Sequence, residues 1–381
     1  MLTSKKYQNN IIQILVPLLF LSLVIIYMYS YKFDGNITGF FRIGSEFPKS
    51  PYLDTARALI FPEQVGMDGQ MFLTIAFDPF LKNPDTIQAL DIPDFRYRRI
   101  LYPLLGHILG LGKISLIPYA MVAINCISII AIIFYTKAYF KLIESPAWQS
   151  MLVLCIPSVW IILYFSTAGL LSSALLVSSL YYYRNQKVFL SVFLIGLACF
   201  ARETMLIVVL SYGCASLLQK KWQEFILFVA SSIPWLCWNF YIVNQPRLQR
   251  DVDVFDANFS SPFKGITNKF DSFLSLDFSP HELYELYSFL LFCSIILVLF
   301  YAAIKNIYFE PVISVTAFAY ITVFVFTVNT YDYLGYIRIF IDIYLLLLLS
   351  YLRENNFLAR IKLFLFMGTG LASLAFIVGI N

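Results

Sequence analysis

The chain has 381 residues, of which 60% are hydrophobic and 13% are charged, and its mean hydropathy is +0.75. About a quarter of the residues of a soluble domain are charged, so this composition excludes an ordinary soluble protein. Positive and negative side chains nearly balance at a net charge of +4, which gives no reason to expect a nucleic-acid partner. The sequence therefore predicts an all-α polytopic protein whose main solvent is the lipid bilayer.

Apolar runs of membrane-spanning length recur along the whole chain. The first, residues 11–29, follows Lys5 and Lys6 and is longer than the core of a signal peptide, which predicts an uncleaved anchor that starts in the cytosol. Residues 1–381 are predicted to form a single membrane domain with eleven passes. The ten passes after the anchor are roughly 114–136, 148–165, 169–183, 188–201, 204–218, 223–243, 287–304, 309–329, 337–352 and 363–380.

The distribution of charge orients these passes. With Lys5 inside, twelve lysines and arginines against four acids fall on the cytosolic side, which is the expected excess. The uncertain segment is 188–218, which must supply two passes around Ala201-Arg202-Glu203. One long tilted helix is the alternative, but it would place the later positive residues outside, so two short passes are preferred.

Two long segments, 30–99 and about 244–286, then lie on the outer side and carry 16 of the 23 acids. The first is rich in aromatic and aliphatic residues, which predicts short amphipathic helices lying on the membrane surface. The second contains Asp251-Val252-Asp253, a pattern like that of nucleotide-sugar enzymes, but nothing around it resembles a nucleotide-binding unit. The water-exposed chemistry of the protein is therefore expected on the extracytoplasmic side.

Within the first outer loop, residues 66–80 (GMDGQMFLTIAFDPF) predict a turn followed by a helix that Asp78-Pro79 closes. Asp68 lies at the start of this helix. Because Asp is a preferred N-cap residue, capping and catalysis are both open explanations for it.

A cationic group follows in the same loop. Arg96, Arg98 and Arg99 precede an apolar run at the outer face, against the overall charge bias. Arginine binds phosphate through two parallel hydrogen bonds, so a bound anion is one explanation. The other is that the long side chains extend to the lipid headgroups.

Three further charged positions lie next to apolar runs, where an unpaired charge is costly. Arg202 and Glu203 are sequence neighbours that point in different directions on a helix, so each is expected to have a partner elsewhere. Arg338 lies four residues before Asp342, a spacing at which the two side chains can pair with each other.

These segments resemble known enzymes. An acidic residue in a large first outer loop of a protein with about a dozen spans resembles the plan of the GT-C membrane glycosyltransferases, which use polyprenyl-phosphate-linked sugars. DGQMFLTIA (68–76) and Tyr102-Pro103-Leu104 are similar to segments of the PIG-V-like mannosyltransferases.

The chain resembles still more closely a bacterial family associated with cell-surface glycopolymer formation. The similar stretches are MDGQMFLTIAFDPF, FRYRRILYPLLG, Ala201-Arg202-Glu203 and NFSSPFKG (258–265). One departure is Ser166-Thr167-Ala168-Gly169, which stands where that family has an acidic element.

The resemblance implies a GT-C-like bundle in a bacterial inner membrane, with its active site on the extracytoplasmic face. Its expected activity is inverting transfer of a sugar from a polyprenyl-phosphate donor to a cell-surface glycan or lipid acceptor. Asp68 is the implied general base, and the implied substrate-binding residues are Gln70, Asp78, Arg96, Arg98, Arg99, Arg202, Glu203 and Arg338. No nucleotide or tightly bound metal is required, although outer carboxylates could hold Mg²⁺ or Mn²⁺.

Two other functions fit the same architecture. A polysaccharide polymerase or ligase differs from the first hypothesis only in its acceptor. A transporter or flippase for lipid-linked sugars predicts repeated halves and charges near the middle of the bilayer, whereas the sequence has no visible repeat and its ionisable residues gather outside.

Overall fold

A computed structural model describes residues 2–249, 259–274, 279–326, 328, 333–350 and 356–379. Within these ranges the chain is mostly helical, and its strands are a parallel pair of two residues each, β1 (Ile43–Gly44) and β2 (Ile60–Phe61). The predicted all-α membrane protein is confirmed at this level. The Asp251-Val252-Asp253 pattern and Asn258 lie outside the described residues.

Most of the described chain is helical, and the described residues of each predicted pass are largely in helices. In chain order the α-helices are α1 (Leu2–Tyr27), α2 (Asp68–Phe77), α3 (Pro84–Gln88), α4 (Pro93–Tyr97), α5 (Leu101–Leu109), α6 (Ile117–Leu142), α7 (Pro157–Tyr164), α8 (Gly169–Arg184), α9 (Val188–Ala201), α10 (Met205–Leu218), α11 (Trp222–Ser231), α12 (Ile233–Val243), α13 (Lys264–Phe273), α14 (Pro280–Asn306), α15 (Pro311–Ala319), α16 (Tyr333–Ile339), α17 (Ile341–Leu349) and α18 (Asn356–Gly379). Short 3₁₀ segments cover Ile37–Phe41, Ala147–Cys155 and Pro246–Leu248, and π-helical turns cover Met28–Lys32 and Tyr320–Val325.

Five helical segments of the described chain are long and apolar enough to cross a membrane: Leu15–Lys32, Ile117–Leu142, Trp222–Val243, Pro280–Asn306 and Phe357–Gly379. Ala147–Cys155 and Pro157–Tyr164 form a sixth candidate that is bent by 52°. Other apolar helices, such as α9 and α10, are shorter. The structure thus supports an integral membrane protein with five or six full-length candidate spans, and the count of eleven stays a prediction.

The segment 188–218 turns back on itself. Ser179 Oγ lies 2.9 Å from Ser191 Oγ and 2.9 Å from the hydroxyl of Tyr212. A continuous helix would hold Ser191 and Tyr212 about 31 Å apart, because each residue adds 1.5 Å. The chain therefore reverses between them, at Arg202, whose backbone is extended. The preferred arrangement of two antiparallel helices agrees with this geometry.

Helix α2 differs from its predicted position on the membrane surface. Every residue from Gly69 to Phe77 is buried, whereas an amphipathic surface helix would expose one side. Phe72, Leu73, Ala76 and Phe77 belong to the large core of the bundle. Met71 and Ile75, on another side, join a smaller core formed by the outer loop, Ile242 and Leu248. The expectation of a surface helix was wrong because apolar side chains of α2 pack into two cores, and the polar groups of Gln70 and Thr74 are hydrogen-bonded inside the protein.

This double packing fixes the start of α2, which carries Asp68. A side chain on Gly69 would lie 2.1 Å from the backbone carbonyl of Phe165, so α2 approaches the end of α7 as closely as only glycine allows. His107 on α5 contacts the carbonyl of Ala76 through Nδ1 at 2.9 Å, near the other end of α2. Both contacts hold the helix rigidly against the bundle.

Candidate functional site

Seven of the nine predicted site residues line one cavity of about 420 Å³. They come from four separate parts of the chain: the start of α2, the end of α4 with the turn after it, the turn between α9 and α10, and α16. These residues are Asp68, Arg96, Arg98, Arg99, Arg202, Glu203 and Arg338. The rest of the lining is largely apolar and consists of Phe72, Phe95, Ile162, Thr167, Ala168, Gly169, Thr204, Phe259, Val328 and Ile339.

Asp68 lies between two arginines. Its Oδ1 is 2.9 Å from Arg96 Nη1, and its Oδ2 is 2.9 Å from Arg338 Nη2. The Asp68 side chain keeps 22% of its surface exposed, so the carboxylate remains accessible from the cavity. Burial raises the pKa of Asp68, but the positive charges of Arg338, Arg96 and Arg99 outweigh burial and hold this pKa well below its usual range.

The capping explanation for Asp68 does not fit this geometry. The N-cap position of α2 is Met67, and Asp68 is the first residue inside the helix. Among the described residues the Asp68 carboxylate contacts guanidinium groups rather than backbone N–H groups. Its negative charge still interacts favourably with the positive end of the helix dipole, but that is a secondary effect.

Asp91 orients Arg96, although no pattern in the sequence singled Asp91 out. Arg96 Nε donates to Asp91 Oδ1 at 2.8 Å, and Arg96 Nη2 donates to Asp91 Oδ2 at 2.6 Å. This two-point contact leaves Nη1 facing Asp68. The sequence pattern that could have pointed to Asp91 is an acid five residues before an arginine, with Pro93 between them at the start of a new helix. Such a spacing is common, so it does not identify a pair.

Arg99 and Glu203 form a second ion pair in the cavity. Arg99 Nε donates to Glu203 Oε2 at 2.8 Å, and Arg99 Nη2 contacts Glu203 Oε1. The Arg99 guanidinium also lies 4.4 Å from the ring centre of Phe95. Burial raises the pKa of Glu203, but the charge and hydrogen bonds of Arg99 lower it more, from 4.5 to about 2. Glu203 is thus held as a carboxylate.

Arg202 points away from its neighbour Glu203 and into the bundle. It donates from Nη2 to the carbonyl of Ile339 at 2.9 Å, and its Nη1 lies 3.5 Å from Asp342 Oδ2. Asp342 is fully buried and also accepts hydrogen bonds from Ser173 (2.6 Å) and Tyr320 (3.2 Å). The expectation that Arg202 and Glu203 have separate, distant partners is confirmed.

Arg338 and Asp342 do not pair with each other, which was the alternative to a phosphate-binding role for Arg338. A turn at Phe340 separates α16 from α17, so the two residues do not lie on one continuous helix four residues apart. Because of this break, Arg338 contacts Asp68 in the cavity, whereas Asp342 contacts Arg202 inside the bundle.

Arg98 is paired locally. Its Nη2 lies 2.9 Å from Asp94 Oδ2, four residues earlier in the chain. Its Nε is buried and has no hydrogen-bond partner among the residues that the structure describes. Arg98 therefore lines the cavity, while its Nε is an unsatisfied donor inside the protein.

Gln70 and Asp78, the other two predicted substrate ligands, do not line the cavity. The Gln70 amide accepts a hydrogen bond from Gly44 N (3.0 Å) and donates to the carbonyl of Pro48 (3.2 Å), so it fastens the outer loop to α2. The Asp78 carboxylate accepts hydrogen bonds within residues 82–86, at the opposite end of α2. Their polar groups serve the folding of the loop.

The segment where the resembling family has an acidic element does reach the cavity. Thr167, Ala168 and Gly169 line it, at the tight turn between α7 and α8. Ser166 in that turn has a positive φ of 42°. The position is therefore part of the site, but it offers a hydroxyl and small side chains instead of carboxylates.

Five arginines and two carboxylates line the cavity, and Asp91, Asp94 and Asp342 outside the lining pair with Arg96, Arg98 and Arg202. No three His, Cys, Asp or Glu side chains come together as metal ligands anywhere in the described ranges. Both oxygens of Asp68 and both oxygens of Glu203 face guanidiniums, so these residues do not make a cation site. The arrangement suits an anion that also carries apolar groups.

No family model matches the chain, and neither a curated protein nor a solved structure matches it. What the protein does is therefore inferred from the chemistry of this cavity together with the resemblance of the sequence segments.

Proposed function

We propose that the protein is an inverting membrane glycosyltransferase of the GT-C type. Its donor is a sugar linked to polyprenyl phosphate, and its acceptor is a hydroxyl group of a cell-surface glycan or lipid. The observation that carries the proposal is the position of Asp68, an accessible carboxylate between Arg96 and Arg338 in a cavity with an excess of arginine. Such a site combines a proton acceptor with ligands for a phosphate.

In the proposed reaction the acceptor hydroxyl gives its proton to Asp68 while its oxygen attacks the anomeric carbon of the donor. The bond between that carbon and the phosphate oxygen breaks, and polyprenyl phosphate leaves with the electron pair. The phosphate changes from a singly charged diester to a more negative monoester. Arginines aimed at the phosphate stabilise that developing charge. One displacement inverts the configuration at the anomeric carbon.

The remaining lining residues fit the rest of such a donor. Phe72, Phe95 and Phe259 give flat apolar surfaces for a sugar ring or the first units of a lipid. Thr167 offers a hydroxyl for hydrogen bonds. The surrounding apolar helices place the cavity beside the bilayer in which a polyprenyl chain dissolves.

The topology belongs to the same proposal. Eleven passes, with short helices such as α9 and α10 among them, put the loop 30–99 and the segment 244–286 on the extracytoplasmic face of a bacterial inner membrane. Reporter fusions after residues 60 and 265 test this arrangement. An outer signal at both positions supports it, and a cytosolic signal at either one contradicts it.

The activity is tested with purified protein in lipid nanodiscs, supplied with a panel of polyprenyl-phosphate sugars and extracts of surface glycan. Polyprenyl phosphate is the product common to every sugar, so its release is the readout. We expect release with at least one sugar, abolished in Asp68→Asn but kept in Asp85→Asn, because Asp85 is an exposed acid of the same loop outside the cavity. No release from any donor, or equal release by Asp68→Asn, would refute the proposal.

A further inference from the structure

The two arginines that contact Asp68 differ in how firmly the protein holds them. Arg96 uses three N–H groups, two on Asp91 and one on Asp68. Arg338 makes one ion pair, with Asp68, and its guanidinium lies 6.0 Å from the ring centre of Phe165. Within the described residues, one of the five N–H donors of the Arg338 guanidinium is used, on Asp68, and no second carboxylate contacts this guanidinium.

We infer that Arg338 moves from Asp68 to the donor phosphate when the donor binds, while Arg96 stays on Asp91, so that the donor itself frees Asp68 to accept the acceptor's proton. This inference rests on the proposed function, because it requires a lipid-linked phosphate in the cavity. It assigns the two arginines different roles, with Arg96 as the fixed ligand and Arg338 as the one that changes partner.

The donor phosphate and Asp68 compete for the same arginines because both are negatively charged. A phosphate entering the cavity carries the same sign as Asp68 and is attracted by the same guanidiniums. Arg96 loses two hydrogen bonds to Asp91 if it turns away, whereas Arg338 gives up only its contact with Asp68. The anion therefore recruits Arg338 at the lower cost.

The exchange of partners also explains how Asp68, a weak base while it contacts Arg338, can accept a proton during the reaction. A carboxylate whose pKa is well below its usual range is a weak base, and Arg338 is the largest single charge that lowers the pKa of Asp68. Moving Arg338 onto a phosphate removes this effect and adds a nearby negative charge, and both changes raise the pKa of Asp68. Asp68 then gains proton affinity only when a donor is in place.

Binding of farnesyl phosphate to the purified protein in nanodiscs tests the competition without any transfer reaction. Asp68→Asn removes the competing charge and keeps the shape of the side chain. We expect it to bind farnesyl phosphate roughly 10-fold more tightly than the wild type, since Arg338 then reaches the phosphate without first leaving a carboxylate. Asp85→Asn, which removes an exposed acid outside the cavity, is expected to bind like the wild type.

The double variant identifies the arginine. In an Arg338→Gln background, Asp68→Asn should give little or no gain in affinity, because the arginine that changes partner is absent. Melting temperatures establish that each variant is folded, and Asp68→Ser provides a second variant without the carboxylate.

If the wild type binds farnesyl phosphate and both Asp68 variants bind it no more tightly, the inference is wrong. An equal gain with and without Arg338 would also overturn it. If neither the wild type nor any variant binds farnesyl phosphate, the proposed function fails instead.

Discussion

The two ends of α2 carry the same residue type in different surroundings. Asp68 at the start is held by side chains from distant parts of the chain, Arg96 and Arg338, and it faces a cavity. Asp78 at the end accepts hydrogen bonds from Lys82 N (3.0 Å), Asn83 N (2.9 Å) and Thr86 Oγ1 (3.1 Å), all within eight residues. One carboxylate joins separate segments, and the other closes a local turn.

This difference separates a functional role from a folding role. The Asp78 carboxylate is buried, accepts hydrogen bonds from its own segment and lies outside the cavity. A carboxylate held by arginine side chains in an accessible cavity can exchange such a partner for a ligand. The type of partner, rather than the residue type, therefore decides which acid of this loop is assigned to the chemistry.

The largest expected effect distinguishes the two ends directly. Asp68→Asn should lower the rate of transfer by about 10²–10⁴-fold, because asparagine cannot accept a proton. The variant should remain folded, although its melting temperature should fall, because Arg96 and Arg338 lose their counter-charge. Transfer rate and thermal unfolding of the purified variant check both statements. Normal transfer by Asp68→Asn would remove the contrast between the two ends.

A smaller effect is expected for the arginine that reaches Asp68 from the far end of the chain. Arg338→Lys keeps the charge but loses the planar fork, so transfer should fall about 10- to 100-fold, as loss of a hydrogen bond to a charged group predicts. The matched control is Arg57→Lys, because Arg57 pairs with Asp54 in the same outer loop and lies outside the cavity. Equal losses in the two variants, measured at saturating donor, would contradict a special role of Arg338.

The other end of α2 should respond in stability. Asp78→Asn keeps one acceptor oxygen but loses the second and the charge, so we expect the free energy of unfolding to fall by about 1–3 kcal/mol. Transfer per folded molecule should change little. Denaturant or thermal unfolding gives the first quantity, and a large loss of transfer without loss of stability would place Asp78 in the chemistry after all.

The smallest expected effect is a pH dependence of stability from the pair of Arg99 and Glu203. The pKa of Glu203 is lowered from 4.5 to about 2 in the folded protein, so its contribution to stability is complete above pH 4.5 and is lost as pH falls toward 2. Melting temperatures measured from pH 7 to 3 should therefore decline on the acid side. The decline should be shallower in Glu203→Gln, and an identical profile would contradict the pair.

Much of this site could be predicted from sequence because its signals are local. The Asp-Gly turn before an apolar helix located Asp68, and arginines placed against the charge bias located Arg96 and Arg99. The choice of partners could not be predicted, because the pairs join segments far apart in the chain, such as Arg99 and Glu203, which are 104 residues apart. The break at Phe340 had no signal in the residue pattern, so pairing of Arg338 with Asp342 stayed open as an alternative until the structure showed separate partners.

In the fold, too, some features could be predicted from the sequence and others depend on contacts between distant parts of the chain. The positions of the apolar helices followed from composition and periodicity. The burial of α2 on all sides did not, because the smaller core beside it is completed by Ile242 and Leu248, more than 150 residues later in the chain. Such packing depends on tertiary contacts that a single sequence does not reveal.

In a structure determined with polyprenyl phosphate bound, we expect the phosphate in the cavity beside Asp68, with Arg338 turned toward the phosphate oxygens and Arg96 still on Asp91. Another cavity with charged residues, about 360 Å³ and lined by Arg184 and Lys221, lies at the far end of α8 from Gly169. A phosphate bound there, or bound beside Asp68 with Arg338 unmoved, would contradict the site or the exchange respectively.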